Sequence, residues 1–364
     1  MGSAARVASA ATAHAPAARV GPRAPAVEVA VAAAVGGDEM IRSIATMLAA
    51  RKWIACAGLG LLLGGVLSCA ASTSGAATAQ PAQPSQRTFE SAKAAVDALV
   101  AAAESYDVPA LKEILGPDGV DLVVTDDPVL DKNQANAWAA KAREKVVVVS
   151  DPTHAEKATL NVGRDDWPMP IPVVNEAGKW RFDSLAGRQE ILFRRIGENE
   201  LNAIEVCRGY VEAQEEYASE KHDGARVNAY AQRIISTPGR HDGLAWHNAD
   251  GTWGGPVGEG IAGVIAEGYR EKYQPFHGYY FKILKGQGAA APLGKLDFVV
   301  QGAMIGGFAL VAAPASYEVS GVKTFIVSHA GVVYEKDLGP KTLELFSAME
   351  LFDPDKSWNP VQAP

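Results

Sequence analysis

An apolar run from Trp53 to Leu67 limits what this chain can fold into, because it takes everything up to Cys69 out of the folding problem. Arg51 and Lys52 precede the run, and its length is that of the hydrophobic region of a secretory signal. It falls short of the ~20 apolar residues that a membrane-spanning helix needs. Residues 40–69 are therefore expected to be an export signal, with translation beginning at Met40 or Met47. Residues 1–39 are mostly Ala, Val, Pro and Gly without a usable period, and are expected to be a non-native or disordered leader. Small and polar residues from 70 to 87 read as a flexible tether, so the folded body is expected to begin at Thr88.

The run closes on Val66-Leu67-Ser68-Cys69, which looks like the lipobox of a bacterial lipoprotein. On this reading Cys69 carries the lipid and the body faces the periplasm, held at the cell envelope by its new N-terminus. Two other outcomes stay open. Cleavage after Ala77-Thr78-Ala79 would release a soluble periplasmic or secreted protein, and an uncleaved run would itself be the anchor. Lys and Arg number 34 against 42 Asp and Glu, a formal charge of −8. That balance argues against nucleic acid as a partner and against electrostatic adhesion to anionic lipid. Membrane contact is left to the lipid at Cys69. Of three cysteines only Cys207 falls in the folded body, so stability has to come from core burial rather than an internal disulfide. Cys207 lies on the stripe Leu201, Ile204, Cys207, Val211, and is expected to be a buried structural thiol.

The hydrophobic period divides the body into two units, 88–197 and 198–360. In the first, Thr88 is expected to cap a helix whose apolar stripe is Phe89, Ala92, Val96, Leu99 and Ala103. Asp107-Val108-Pro109 starts a short helix, Gly116-Pro117 stops it, and a third helix fits Lys132 to Lys141. The period then drops to two. Strands are expected over Lys145–Ser150 and Lys157–Val162, followed by a hairpin of Ile171–Val174 and Lys179–Asp183 around Asn175-Glu176-Ala177-Gly178. Helices followed by antiparallel strands make an α+β layer, in an order similar to the cone-shaped fold of nuclear-transport-factor-2-like domains.

A helix over Leu185–Ile196, broken at Gly197, leads into the second unit, whose longer helix is expected to be capped by Asn199 and to reach about Glu220. Turn-rich chain follows, at Ser236-Thr237-Pro238-Gly239 and from Asn248 to Gly260. Apolar strands are expected at Tyr279–Leu284, Leu296–Val300, Gly307–Ala312, Lys323–Ser328 and Val332–Lys336. A long helix packed on an antiparallel sheet is similar to the globular part of pseudopilins, although the export signal lacks a pilin's cleavage pattern.

Several long stretches carry a more specific resemblance. Asp166-Trp167-Pro168, Pro170-Ile171-Pro172, Trp180-Arg181-Phe182-Asp183 and His277-Gly278-Tyr279-Tyr280-Phe281 are among them. So are Met304 to Leu310, Thr324-Phe325-Ile326-Val327 and Val333-Tyr334 with Lys336-Asp337-Leu338-Gly339. Together they resemble a bacterial exported family, domain-of-unknown-function family 2950, over roughly residues 88–360. The resemblance implies an envelope location and a shared fold, and no reaction. Where that family often has an acidic turn of calcium type, this chain has Glu220-Lys221-His222-Asp223-Gly224-Ala225-Arg226. Its carboxylates sit among basic side chains, so no calcium, and no other metal or cofactor, is expected.

Candidate chemistry is sparse. There is no Gly-x-Ser-x-Gly elbow and no cysteine with a base beside it in sequence. His241 and His247 lie in a loop with Asp242 between them, at a spacing that suits neither a zinc pair nor helical ligands. Gly258-Glu259-Gly260-Ile261-Ala262-Gly263 has the letters of a dinucleotide fingerprint, but a loop precedes it instead of a strand, so helix entry is the better account. His277-Gly278-Tyr279-Tyr280 is the leading binding candidate. Either His277 and Tyr279 line a rim while Tyr280 packs inward, or the reverse; an aromatic core strand explains the same residues. Asp166-Trp167, with three prolines in the next five residues, reads as a pocket wall or a protected edge, and Lys336-Asp337 as a surface ion pair. The function expected is a non-catalytic envelope module for a protein or polymer partner. A hydrolase using His241, Asp242 and His277, or a scaffold subunit of a pilus-like or export machine, are the alternatives.

Overall fold

The computed structural model describes residues 86–125, 127–258 and 275–362. The leader, the signal with Cys69, nearly all of the tether and most of the Gly258–Gly263 segment lie outside them. The described residues begin slightly before Thr88. The Gln86 amide donates to Ile114 O (2.9 Å) and Phe182 O (2.7 Å), tying the chain's entry to two elements of the first unit.

Ser91, not Thr88, caps helix α1 (Ala92–Ser105), its hydroxyl accepting from Ala94 N. Phe89 is still extended there, because it exchanges two main-chain hydrogen bonds with Trp180. All five residues of the expected stripe are buried, with Phe89 lying ahead of the helix rather than on it. Asp107 caps α2 (Val108–Leu115), and a 3-10 turn over Pro117–Leu122 follows. Helix α3 (Pro128–Glu144) is longer than its apolar pattern suggested. Asp127 accepts from Val129 N and Leu130 N with Pro128 in the first turn, a start signal that lies outside the apolar stripe.

Five strands face these helices: β1 (Val146–Ser150), β2 (Lys157–Val162), β3 (Trp167–Pro168), β4 (Val173–Glu176) and β5 (Lys179–Phe182). Their order is β1-β2-β4-β5, antiparallel, with β3 beside β2. Ala158, Leu160 and Val162 are all buried, as their alternation predicted. The β4–β5 turn holds two residues rather than four: Asn175 and Glu176 already pair with Trp180 and Lys179. Ala177 and Gly178 both take positive φ (51° and 83°), the twist-matched form of a two-residue hairpin. The first core joins Leu160, Val162, Val173 and Phe182 to Val96, Leu99, Ile114 and Trp138.

The two helices expected on either side of Gly197 are one. Helix α4 spans Ser184–Tyr217 without interruption, so the expected boundary at 197/198 falls inside it. A glycine costs a helix interior about 1 kcal/mol relative to alanine, which does not end a helix whose two sides are both held. Ile191 is buried in the first core, and Ala203, Cys207, Tyr210 and Tyr217 in the second. Asn199 is therefore no cap. Its amide donates to Ser320 O (2.8 Å), while Glu200 accepts from Val322 N and Lys323 N. Leu201, assigned to the apolar stripe, is 65% exposed.

The later strands are β6 (Trp246–His247), β7 (Trp253–Gly254), β8 (Tyr279–Leu284), β9 (Gly286–Gln287), β10 (Leu296–Asp297), β11 (Val299–Val300), β12 (Ala303–Met304), β13 (Ala309–Pro314), β14 (Lys323–Ser328), β15 (Val333–Asp337) and β16 (Asn359–Pro360). The second sheet has the order β16-β15-β14-β13-β8, all antiparallel. Helix α4 crosses β13 and β14. On the opposite face lies α5 (Thr342–Ala348), whose last carbonyls Phe346 O and Ser347 O accept from Lys282. Every residue of β13 is buried between these layers. The single strand expected over Leu296–Val300 is two, Leu296–Asp297 and Val299–Val300, pairing with Gly286–Gln287 and Ala303–Met304, with Phe298 fully buried between them. The protein is α+β, as its pattern indicated. Among the described residues no helix is long and apolar enough to cross a membrane.

Candidate functional site

The C-terminal turn of α4 leaves carbonyls without helical partners. His222 Nε2 hydrogen-bonds Tyr217 O (2.8 Å), and Asn228 Nδ2 donates to Ala218 O (2.9 Å). The first of these bonds lays the His222 ring on that of Tyr217, 3.9 Å between centroids. Tyr217 in turn donates its hydroxyl to His241 O (2.5 Å). Burial, with Asp223 and Asp242 nearby, pushes this phenol up to about 12, so it stays a donor at ordinary pH.

A short hairpin completes the cluster. Trp246–His247 pairs with Trp253–Gly254, and the connection is built by Asp250, which accepts from Thr252 N and Oγ1. Trp246 lies 4.5 Å from the His241 ring and 5.8 Å from His222. On the other face of the hairpin His247 stacks on Trp253 across the strands at 3.8 Å. His241 and His247 are exposed, while His222, Trp246 and Trp253 are half-buried. The arrangement offers the His241 and His247 rings to solvent beside a hairpin whose tryptophans pack on the second core. Rings of this kind are enriched where proteins hold partners.

The carboxylates beside these rings are engaged. Asp223 accepts from His241 N (2.9 Å) and lies 3.5 Å from Arg240 Nε. Asp242 accepts from Thr237 N (2.7 Å) and Oγ1 (2.8 Å), with Arg233 at 3.6 Å. Despite the opposing effect of burial, those bonds and the two arginines hold the Asp242 carboxyl below its usual range, ionised and pinned as a turn anchor.

His277 does not join His241 and Asp242. Both His277 and Gly278 take positive φ (45° and 72°), and a Cβ at Gly278 would meet Asn199 Nδ2 at 2.6 Å. That segment therefore sits beside residue 199 of α4, whereas His241 sits at Tyr217, eighteen residues along the helix. At 1.5 Å per residue the separation along the axis is ~27 Å. Of the two possible alternations, Tyr279 packs inward: it is fully buried and donates to Lys323 O (2.8 Å). Tyr280 is half-exposed, and the His277 ring packs edge-on against Phe276.

The remaining candidates are fastenings. Asp166 (φ 52°) binds Lys145 Nζ at 2.7 Å. Trp167 carries the Arg194 guanidinium 5.7 Å from its centroid, and Arg194 also donates to Pro168 O, which latches α4 onto the proline-rich segment. Lys336 and Asp337 point to opposite faces of β15, as strand neighbours must, so they form no pair with each other. Lys336 donates to Ser357 Oγ (2.6 Å) over the Trp358 ring, and Asp337 accepts from Gly339 N (2.8 Å) and Tyr317 OH (3.3 Å). Burial pushes the Cys207 thiol up to about 12, as befits a structural residue. Among the described residues, no group of three His, Cys, Asp or Glu could hold a metal ion.

The sequence pointed to His241 and His247, but not to Trp246 and His222 beside the first or to Trp253 against the second. The Asn-Ala-Asp-Gly-Thr link between two Trp-bearing segments was a hairpin signal that went unused. Fold and ring cluster together define an α+β protein in which one central helix joins two cores and ends in an aromatic surface. The chain belongs to the family described as protein of unknown function (DUF2950), whose family model matches residues 86–361. No curated protein and no solved structure matches it.

Proposed function

We propose that this protein is a non-catalytic binding module of the cell envelope, exported and anchored through Cys69, which takes a protein or polymer partner on its ring cluster. The observation that carries this reading is the division of labour among its polar and aromatic groups. Asp242 anchors a turn through Thr237 and Asp223 accepts from His241 N, while His277, the third member of the hydrolase reading, sits beside residue 199 at the far part of the helix. The exposed His241 and His247 rings instead pack against Trp246 and Trp253 of a short hairpin. Aromatic anchors of this sort carry much of the binding energy in protein interfaces. The Cys69 signal supports the envelope location, and the acidic balance supports a partner other than nucleic acid.

The test is a photo-crosslinking amino acid at position 247 in intact cells, with one at exposed Lys112 as control. One discrete adduct from position 247, absent from position 112 and lost when Trp253 is changed to Ala, is the expected result. Persistence of the adduct in the Trp253→Ala variant would refute the ring cluster as the binding surface. Labelled fatty acid on the parent chain but not on Cys69→Ser tests the anchor separately.

A further inference from the structure

We propose that β1 is a self-association edge, on which a second copy of this chain adds its own β1 antiparallel about a twofold axis at Val148. The first sheet ends on β1, and among the described residues nothing pairs with its outer side. The direction of its free main-chain groups follows from two hydrogen bonds. Asp151 N donates to Lys157 O (2.8 Å) and Gly163 N to Lys145 O (2.9 Å). Residues 145, 147, 149 and 151 therefore turn their main chain toward β2, and Val146, Val148 and Ser150 turn theirs outward.

Natural edges are usually blunted by an inward charge, a proline or a bulge. Here Val-Val-Val-Val-Ser has none, and its register with β2 runs through five consecutive pairs. Val147 and Val149 are 41% and 44% exposed. Lys145 and Asp151 flank the strand on that face, one at each end, Lys145 beside Asp166 and Asp151 across from Lys157 of β2.

Those end charges select the occupant. Antiparallel pairing about Val148 sets Val148 against itself, Val146 against Ser150 and Val147 against Val149 of the second copy. All three outward-facing residues are then matched, and Lys145 stands opposite the second copy's Asp151 at both ends. Centring on Val147 would set Ser150 against Glu144, and centring on Val149 would set Val146 against Pro152, both beyond the strand, and either would part the two end charges. An unrelated strand would need an acid and a base at the same spacing in reverse order; this chain supplies both. Lys145 keeps Asp166 as a neighbour at 2.7 Å, so its ammonium would bridge two carboxylates. A contact of one strand pair is small, which places it among weak, reversible associations.

The experiment uses the full chain. Sedimentation should show a monomer–dimer equilibrium that shifts toward dimer as concentration rises, as suits a small, reversible interface. Val147→Lys with Val149→Lys should abolish it without altering thermal unfolding, since both side chains are exposed. In a Cys56→Ser, Cys69→Ser background, mixing Val147→Cys chains with Val149→Cys chains should give a disulfide-linked dimer. Directly opposed residues of this kind lie ~4.5 Å apart, within bridging range. Neither variant alone should cross-link comparably. A monomer at every concentration, a dimer indifferent to the two lysines, or equal cross-linking by Val147→Cys alone would each overturn the proposal.

Discussion

Gly197 gives the sharpest test of how the two units are joined, because alanine there should change stability with a sign that depends on the local backbone. The residue lies inside α4 with an ordinary helical φ, and a Cβ built on it meets no atom within 4 Å. Nothing opposes the replacement sterically. Alanine is favoured over glycine in a helix interior by about 0.8–1.0 kcal/mol, so Gly197→Ala should stabilise the chain by roughly that amount. For a folded body of this size, that corresponds to a rise in Tm of about 2–3 °C. Had Gly197 ended one helix in the left-handed conformation, alanine would instead strain the backbone and lower Tm. Gly255→Ala is the matching control. Its φ is +104°, and a Cβ there would come within 2.4 Å of Leu244 O, so that variant should be clearly destabilised. Differential scanning of parent and both variants decides the matter. A Tm for Gly197→Ala at or below the parent's would refute the continuous helix.

Two further outcomes follow from buried and turn-forming groups. Tyr279→Phe keeps the buried ring but leaves Lys323 O without its donor, which should cost about 1–2 kcal/mol in chemical denaturation; an unchanged midpoint would show that this hydroxyl is not holding β14. Hydrogen bonds from the Thr153 hydroxyl and main-chain N–H lower the Asp151 carboxyl to about 2. A carboxyl depressed in the folded state contributes stability above its unfolded value near 3.8 and loses it as pH falls through about 2. The stability gap between the parent and Asp151→Asn should therefore be constant above pH ~4 and close toward pH ~2 in acid titrations. A gap that widened with acid would contradict the assignment.

What was legible in the sequence was local. Alternation at Ala158, Leu160 and Val162 located a half-buried strand to the residue, and Asp107 with Gly116 bounded α2 on both sides. What misled were local signals overruled by packing. Gly197 and Asn199 together look like a stop followed by a start, yet two cores gripping the flanking turns keep the helix whole. Leu296–Val300 has the composition of one strand, but burial of Phe298 divides its pairing between two partners. The direction of Tyr279 was open because adjacent tyrosines suit either face, and only the Lys323 carbonyl, two strands away in the sheet, resolves it. The ring cluster was least visible. Tyr217, His222, His241 and Trp246 share no periodicity, and they meet because the helix end and two loops converge.

The uninterrupted Ser184–Tyr217 helix makes the two halves mechanically inseparable. Its opening turns plug one interior and its closing turns the other, so severing the chain at the middle would leave each half with an open apolar trench. Melting or pulling should therefore dismantle both in a single event. Whatever settles on the rings at one tip would load a strut whose other tip is embedded beneath the proline-rich latch.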